Sequence, residues 1–530
     1  MSTHRYPLPG IGRRAFVGGG AALGGAVLLG ACSGEAEGGD ALVDPAHARV
    51  EAAETARAGT GREVEVTLTA APTELDLAGT TVSTWAYDGH GPGRELRVSA
   101  GDTLVAELVN RLPDPTSVHW HGLALRNDMD GVPHLTQDEV APGDRFTYRF
   151  VAADPGTHWF HPHVGTQLDR GLYVPFVVED PDEPLSYDHE WVVVLDDWLD
   201  GVESTPDEVL AELLQGMGGH AGHGGDGADE GPQRMGAALM GATSDLLGGD
   251  AGDVYYPAYL VNGRPPGDPA AFEAIPGARV RVRFVNAGGD TAFRVAVGGH
   301  TMTVTHTDGY PVEHTEADAL LLGMGERFDV LLTLEDGAFP LVALAEGKGE
   351  AAFAVVRTGS GSAPRPDERP DELTGRVVVA TDLTADQSAR LADADPDVEH
   401  AIRLTGGMAD FDWGLNGHAF DHEDPTARAF RVSEGQRVRL TLTNDTDMWH
   451  PMHLHGHHFQ LGPPVAHHHP QTSPSAQSRF HGPRKDTVNL LPGQTLTCDF
   501  DADNPGLWMT HCHNVYHGEA GMMGVVGYTG

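Results

Sequence analysis

Three segments of the chain share one pattern: a glycine, alternating apolar positions, then an asparagine nine residues on. They run from Gly101 to Asn110, from Gly277 to Asn286 and from Gly435 to Asn444. In the middle one, Val280-Arg281-Val282-Arg283-Phe284 alternates as a strand with one buried face does. A second pattern follows each: Gly143-Asp144-Arg145-Phe146, Gly325-Glu326-Arg327-Phe328 and Gly493-Gln494-Thr495-Leu496. Repetition at domain-sized intervals predicts three copies of one β-domain, each of ordinary length. Short alternating strands with frequent turns predict Greek-key β-sandwiches, an all-β fold. The expected domains are 61–182, 183–372 and 373–530.

Onto this repeat is written a second pattern. In His511-Cys512-His513, a strand would point Cys512 one way and both histidines the other. One tripeptide can then touch two metal centres. Cys512, His517 and a weak axial Met522 match the ligand type of a blue-copper site, and His450 supplies the second imidazole. On the other face, His511 and His513 join His453 and His455, His119 and His121, and His161 and His163. These four His-x-His pairs give eight imidazoles, enough for three coppers with room for oxygen.

The first and third copies align through these motifs. Pro155 to His163 lies over Pro505 to His513, and His119 and His121 lie over His453 and His455. Thr116, Pro162, Gln167 and Leu172 stand opposite His450, Cys512, His517 and Met522. The first copy therefore cannot build the blue site, yet it keeps both histidine pairs. Core packing does not explain that selective loss. A cluster at the interface of copies one and three does, with four histidines from each. The middle copy has no such pair and reads as a spacer.

The chain resembles the multicopper oxidases, whose motifs HxHG, HxH, HxxHxH and HCHxxxHxxxxM are present in order. It looks closest to actinobacterial multicopper oxidase lipoproteins, which resemble cuprous oxidases of copper defence. The resemblance implies three cupredoxin domains and four coppers. By resemblance, His450, Cys512, His517 and Met522 hold the type 1 copper, and His119 and His453 the type 2 copper. His121, His161, His163, His455, His511 and His513 would hold the type 3 pair. Substrate would give single electrons at type 1, where the edge of His450 or His517 should face solvent. Four electrons would reduce dioxygen to water at the trinuclear cluster.

That reduction needs protons, hence buried acids. Asp130 matches one family position, although Met129-Asp130-Gly131 also suits a plain turn. The second family acid usually follows the type 1 histidine, where this chain has Gly518; Glu519, one residue later, is the candidate substitute. His457 matches a family histidine that is not a ligand.

The N-terminus reads as an export signal. Arg13-Arg14 is a twin-arginine motif, and Leu29-Gly30-Ala31-Cys32 resembles a lipobox with Cys32 as the lipidated residue. This predicts residues 1–32 as signal, a lipid anchor on the outer face of the cytoplasmic membrane, and a flexible Ala/Glu/Gly-rich tether over 33–60. Cys498 is expected in the core. A net charge of −43 argues against a nucleic-acid partner. Lys348 and Lys485 are the only lysines, which reads as codon bias.

Two insertions carry further potential ligands. The first, over 216–240, holds Met217, His220, His223, Met235 and Met240, types that suit Cu(I) or a Gly-rich linker equally. The second, ending near His481, holds His467-His468-His469 and reads as a solvated loop. The expected partners are dioxygen and either Cu⁺ or a small phenol or aromatic amine, with a monomer sufficing. An electron-carrier lipoprotein is the competing class. It would need one copper and leave eight histidines unexplained.

Overall fold

The computed structural model describes residues 41–216, 231–462, 465–466 and 481–530. The twin-arginine motif, Cys32, Met217, His220, His223 and His467 to His469 lie outside them. The three repeats fold as three two-sheet β-sandwiches. The first pairs a four-stranded sheet, ordered Thr80–Tyr87, Glu63–Leu77, Asp102–Asn110, Arg145–Ala152, with a second ordered Leu96–Ser99, Val174–Glu179, Gly156–His161, His119–His121. The middle copy has two six-stranded sheets, and the third a seven- and a five-stranded sheet. Val377–Val378 still belongs to a sheet of the middle copy, pairing with Ala319–Leu322.

The repeated residues do the same work in each copy. Each repeat strand runs parallel to the first long strand of its copy: Asp102–Asn110 on Glu63–Leu77, Arg279–Asn286 on His189–Trp198, and Arg437–Asn444 on Val398–Thr405. The terminal asparagine then closes the turn. Asn110, Asn286 and Asn444 each accept the N–H two residues on and donate to two carbonyls, one nearby and one in a later segment. Buried backbone groups must be paired, so the asparagine is fixed wherever this turn recurs. Gly143, Gly325 and Gly493 each donate N–H to that asparagine's carbonyl with φ of 88, 82 and 67°. Those positive angles favour glycine.

One apolar core runs through the middle and third copies, taking in Val282, Phe284, Leu442, Trp508 and Cys498. The first copy keeps its own, around Trp120, Tyr148 and Phe150. The expected tether is folded from Ala41 onward. Leu42 bridges Thr529, Val43 N–H donates to the Tyr528 carbonyl, and Ala48–Ala56 is a helix. Composition hid the cause: two valines, Val43 and Val50, are buried at 0 and 1% exposure. The helix also straps two copies together. Glu54 accepts from Val151 N–H of the first, and Arg57 donates to Asn504 of the third at 2.8 Å.

Placing a charge under the strap should release it. Val50→Asp is expected to expose Arg49 and Arg57 to trypsin, where the parent protein resists cleavage. Mass spectrometry of a limited digest reads the difference; equal cleavage would mean the strap is not held by this packing.

Candidate copper centres

The strands that carry the histidine pairs lie side by side in both copies. His119 lies opposite His161 in one antiparallel pair, and His453 opposite His511 in the other. The two pairs meet face to face. The His119 ring stacks on His455 at 3.7 Å between centroids, and His121 on His453 at 3.8 Å. All eight histidines enter one cluster, with His163 near His455 and His511, and His513 near His121 and His161.

The nitrogens show what the cluster is for. On the outside, ring N–H groups are engaged: His119 Nδ1 with the Asp130 carbonyl at 3.0 Å, His161 Nδ1 with the Pro162 carbonyl at 2.8 Å, and His511 Nδ1 with the Cys512 carbonyl at 2.9 Å. His453 Nδ1 meets the Asp486 carbonyl at 2.9 Å, and His455 Nδ1 meets Asp130 Oδ2 at 2.9 Å. On the inside, the Nε2 atoms of His119, His161, His163 and His453, Nδ1 of His121 and both nitrogens of His513 are buried without a hydrogen-bond partner among the described residues. An outward N–H fixes the tautomer and leaves an inward lone pair. Burial first, then repulsion among the rings, pushes His161, His163, His455, His511 and His513 well below the usual imidazole range. Neutral, orphaned, convergent nitrogens are a ligand set for metal cations and fit nothing else so well.

Two carboxylates brace this array. Asp130 holds His455, and its unpartnered Oδ1 lies 3.2 Å from His119 Nδ1. Asp486 was not singled out from sequence. It meets His121 Nε2 at 3.1 Å and is clamped by Arg327 of the middle copy at 2.7 and 2.6 Å. Arg327, Lys485 and Asp308 form a buried charge network with it. The arginine clamp and two histidine hydrogen bonds hold the Asp486 carboxyl well below the usual range despite burial. Thus the middle copy, which adds no histidine to either centre among the described residues, is more than a spacer.

The second centre lies on the other face of the same strand. His450 Nδ1 and His517 Nδ1 are 3.0 Å apart, and Cys512 Sγ lies 3.6 and 3.8 Å from them. Met522 is fully buried, and its carbonyl accepts Cys512 N–H at 3.0 Å. Two soft imidazoles and a thiol in a triangle match a blue-copper ligand set.

Comparison with known proteins agrees with this geometry. Profiles of the multicopper oxidases match residues 69–183, 241–360 and 393–529. The chain is 47% identical over 518 residues to multicopper oxidase MmcO of Mycobacterium tuberculosis, covering 96% of this chain and 95% of the relative. The chain belongs to the multicopper oxidase family. Copper resistance protein A of Escherichia coli is 26% identical, over 86% of this chain and 91% of its own length. Among solved structures, the laccase of Botrytis aclada superposes with a TM-score of 0.71 at 25% identity, covering 88% of each chain. Fet3p, described as a multicopper oxidase that functions in iron import, gives the same score at 20% identity, over 88% of this chain and 90% of its own. Members hold one type 1, one type 2 and two type 3 coppers, and this oxidase is a copper-dependent oxidoreductase with dioxygen as acceptor.

One expectation is overturned. Neither histidine of the Cys512 centre faces solvent: His450 is 0% and His517 1% exposed. Sequence spacing fixes which residues converge but says nothing of what folds over them. Here a segment ending at Trp413 lies on both rings, and Asp253 of the middle copy closes His517 Nε2 at 2.7 Å.

Outer hydrogen bonds to ligating histidines are worth about 10–100-fold in metal affinity. Asp486→Asn should therefore lower copper content from four towards one per chain. The blue absorbance should persist, because the Cys512 centre makes no contact with Asp486. Metal analysis beside the visible spectrum checks this.

Proposed function

We propose that this oxidase oxidises cuprous ion outside the cytoplasm, coupling it to reduction of dioxygen to water. In this reading His450, Cys512, His517 and Met522 hold type 1 copper, and His119 and His453 type 2. His121, His161, His163, His455, His511 and His513 hold the type 3 pair. Copper held by these residues would supply a one-electron acceptor at the Cys512 centre and an oxygen-reducing site among the eight histidines. The chain itself joins the centres covalently, since His511 and His513 flank Cys512.

The observation that carries the substrate assignment is the carboxylate on His517 and the thioethers on the hairpin bonded to the same segment. His517 Nε2 meets Asp253, whose second oxygen has no partner among the described residues. Leu239 N–H donates to the Asp253 carbonyl, so the hairpin of Gln233–Met235 and Ala238–Met240 packs on this segment. Met235 and Met240 share one face of that hairpin and are exposed at 39 and 37%. Thioethers outside and a carboxylate within suit a soft monovalent cation that gives up an electron and leaves harder. Glu212 accepts Ala237 N–H, and Gly216 abuts Ala409. Relatives named for copper resistance, the twin-arginine motif and Cys32 support an exported, lipid-anchored copper-defence enzyme, and three linked copies support a monomer.

Oxygen uptake by the copper-loaded, leaderless protein tests the reading, with Cu⁺ and a simple phenol side by side. Cu⁺ consumption far above background is expected, with KM raised several-fold in a Met235→Leu/Met240→Leu double variant. Strong phenol turnover with no response to Cu⁺ would make it a laccase.

For proton supply, Asp130 is the first proposed donor, supported by its contacts with His455 and His119 of the cluster. Glu519 is the proposed second donor. It ends the helix Val515–Glu519, and burial, with a small push from the Asp207 carboxylate, raises it to about 7, so it exchanges protons near neutrality. A raised acid favours the fold while protonated. Its contribution falls as pH rises from its ordinary value of 4.5 through 7. Glu519→Gln is therefore expected to melt like the parent at pH 4.5, above it at pH 8, and to consume oxygen more slowly. Unchanged oxygen turnover removes the donor role while leaving the melting prediction intact.

A further inference from the structure

The Cys512 centre is covered, and the cover is built at a cost. The strand Val398–Thr405 turns back through residues 406–413 into Gly414–Leu415, which pairs with Leu404 and Thr405. Two aromatic side chains from this turn lie on the histidines. Trp413 sits 4.4 Å from the His517 ring and 5.2 Å from the His450 ring, so a single indole spans both imidazoles. Phe411 lies 6.0 Å from His517 and 6.0 Å from Trp413, closing the edge.

Two features of this turn are unfavourable by themselves. Phe411 has a φ of 50°, the left-handed region that a bulky side chain avoids. Trp413 is fully buried and its Nε1–H finds no acceptor among the described residues. A buried indole N–H left unpaired forfeits the hydrogen bond it makes to water in the unfolded chain. Ordinary core packing would relieve both: a glycine at 411 removes the strain, and a phenylalanine at 413 removes the orphan donor. The turn is also pinned from outside. A side chain on Gly521 would meet the Trp413 carbonyl at 2.7 Å, and one on Gly216 would meet the Ala409 carbonyl at 2.8 Å.

We propose that Phe411 and Trp413 form an aromatic cap that sets donor specificity, barring planar organic donors from the type 1 histidines. The cap leaves the carboxylate side of His517 as the route for a metal ion. The inference rests on the assignment of His450, Cys512 and His517 to type 1 copper. A phenol must bring its ring within contact of an imidazole edge, because electron transfer falls off exponentially with the gap. Here both cap residues are themselves buried, Trp413 at 0% and Phe411 at 1% exposure, so a phenol ring stops short of either imidazole. A small cation needs no flat face, and the buried Asp253 carboxylate that touches His517 offers it an oxygen ligand there. Phe411 and Trp413 are thus specificity-determining and contact no reacting atom.

The test compares Phe411→Gly and Trp413→Ala with the parent holoenzyme. Phe411→Gly suits the left-handed backbone, so it removes the ring without disturbing the turn. Two readouts are taken: kcat/KM for 2,6-dimethoxyphenol relative to Cu⁺, and carbethoxylation of His450 and His517 by diethyl pyrocarbonate, located by mass spectrometry. The proposal expects both histidines to be unreactive in the parent. In both variants they become reactive, and the phenol-to-Cu⁺ ratio rises at least ten-fold. A ratio within two-fold of the parent, in variants whose histidines do react, overturns the proposal. So does a parent that already carbethoxylates at both positions. If the parent leaves Cu⁺ at its background rate while the variants gain phenol turnover, the cap stands and the cuprous assignment fails.

Discussion

The structure depends on keeping eight imidazoles crowded in one interface with their lone pairs turned inward. Water would satisfy those nitrogens in an unfolded chain, so folding leaves them unsatisfied unless cations take them. The protein meets the demand by fixing six of the rings from behind, His121 through the Asp486 carboxylate. Backbone carbonyls of Asp130, Pro162, Asp486 and Cys512 hold four Nδ1–H groups, and the Asp130 carboxylate holds a fifth. The β-strand pairing gives the rings their spacing, and the outer hydrogen bonds give them their orientation.

The interface itself is held by buried charge as well as by apolar contact. The chain has two lysines, and both are buried in ion pairs. Lys348 meets Asp290 at 2.6 Å, and Lys485 meets Asp308 and Glu326 at 3.0 and 3.1 Å. Read as codon bias, they are better understood by shape. An ammonium can point three donors at three oxygens in a tight space, as Lys485 does with Thr307, Asp308 and Glu326. Removing one partner of such a pair leaves an uncompensated charge. The network therefore ties the middle copy to Asp486, and through it to the cluster.

Much of the copper chemistry was legible because metal ligands obey local geometry. His-x-His spacing places two rings on one strand face, and His-Cys-His places the thiol on the other. The three asparagines were equally legible, since one turn imposes the same hydrogen bonds each time. Asp486, Arg327 and Asp253 were not. Each acts on a residue more than a hundred positions away or in another copy, and neither spacing nor periodicity marks it. The strap was missed for a different reason: two valines in a polar stretch decide it, and composition averages them away.

The sequence by itself determined the repeated β-domain, the twelve candidate ligands, the split of the cluster between first and third copies, and the family. All of these are written in short-range patterns that strand geometry reads directly. Tertiary structure alone decided what surrounds the ligands. It set the carboxylates that orient the rings, the middle-copy guanidinium behind Asp486, the strap across two copies, and the aromatic turn that buries His450 and His517. Burial and orientation are properties of segments packed together from far apart in the chain, so they exist only once the whole interface has closed.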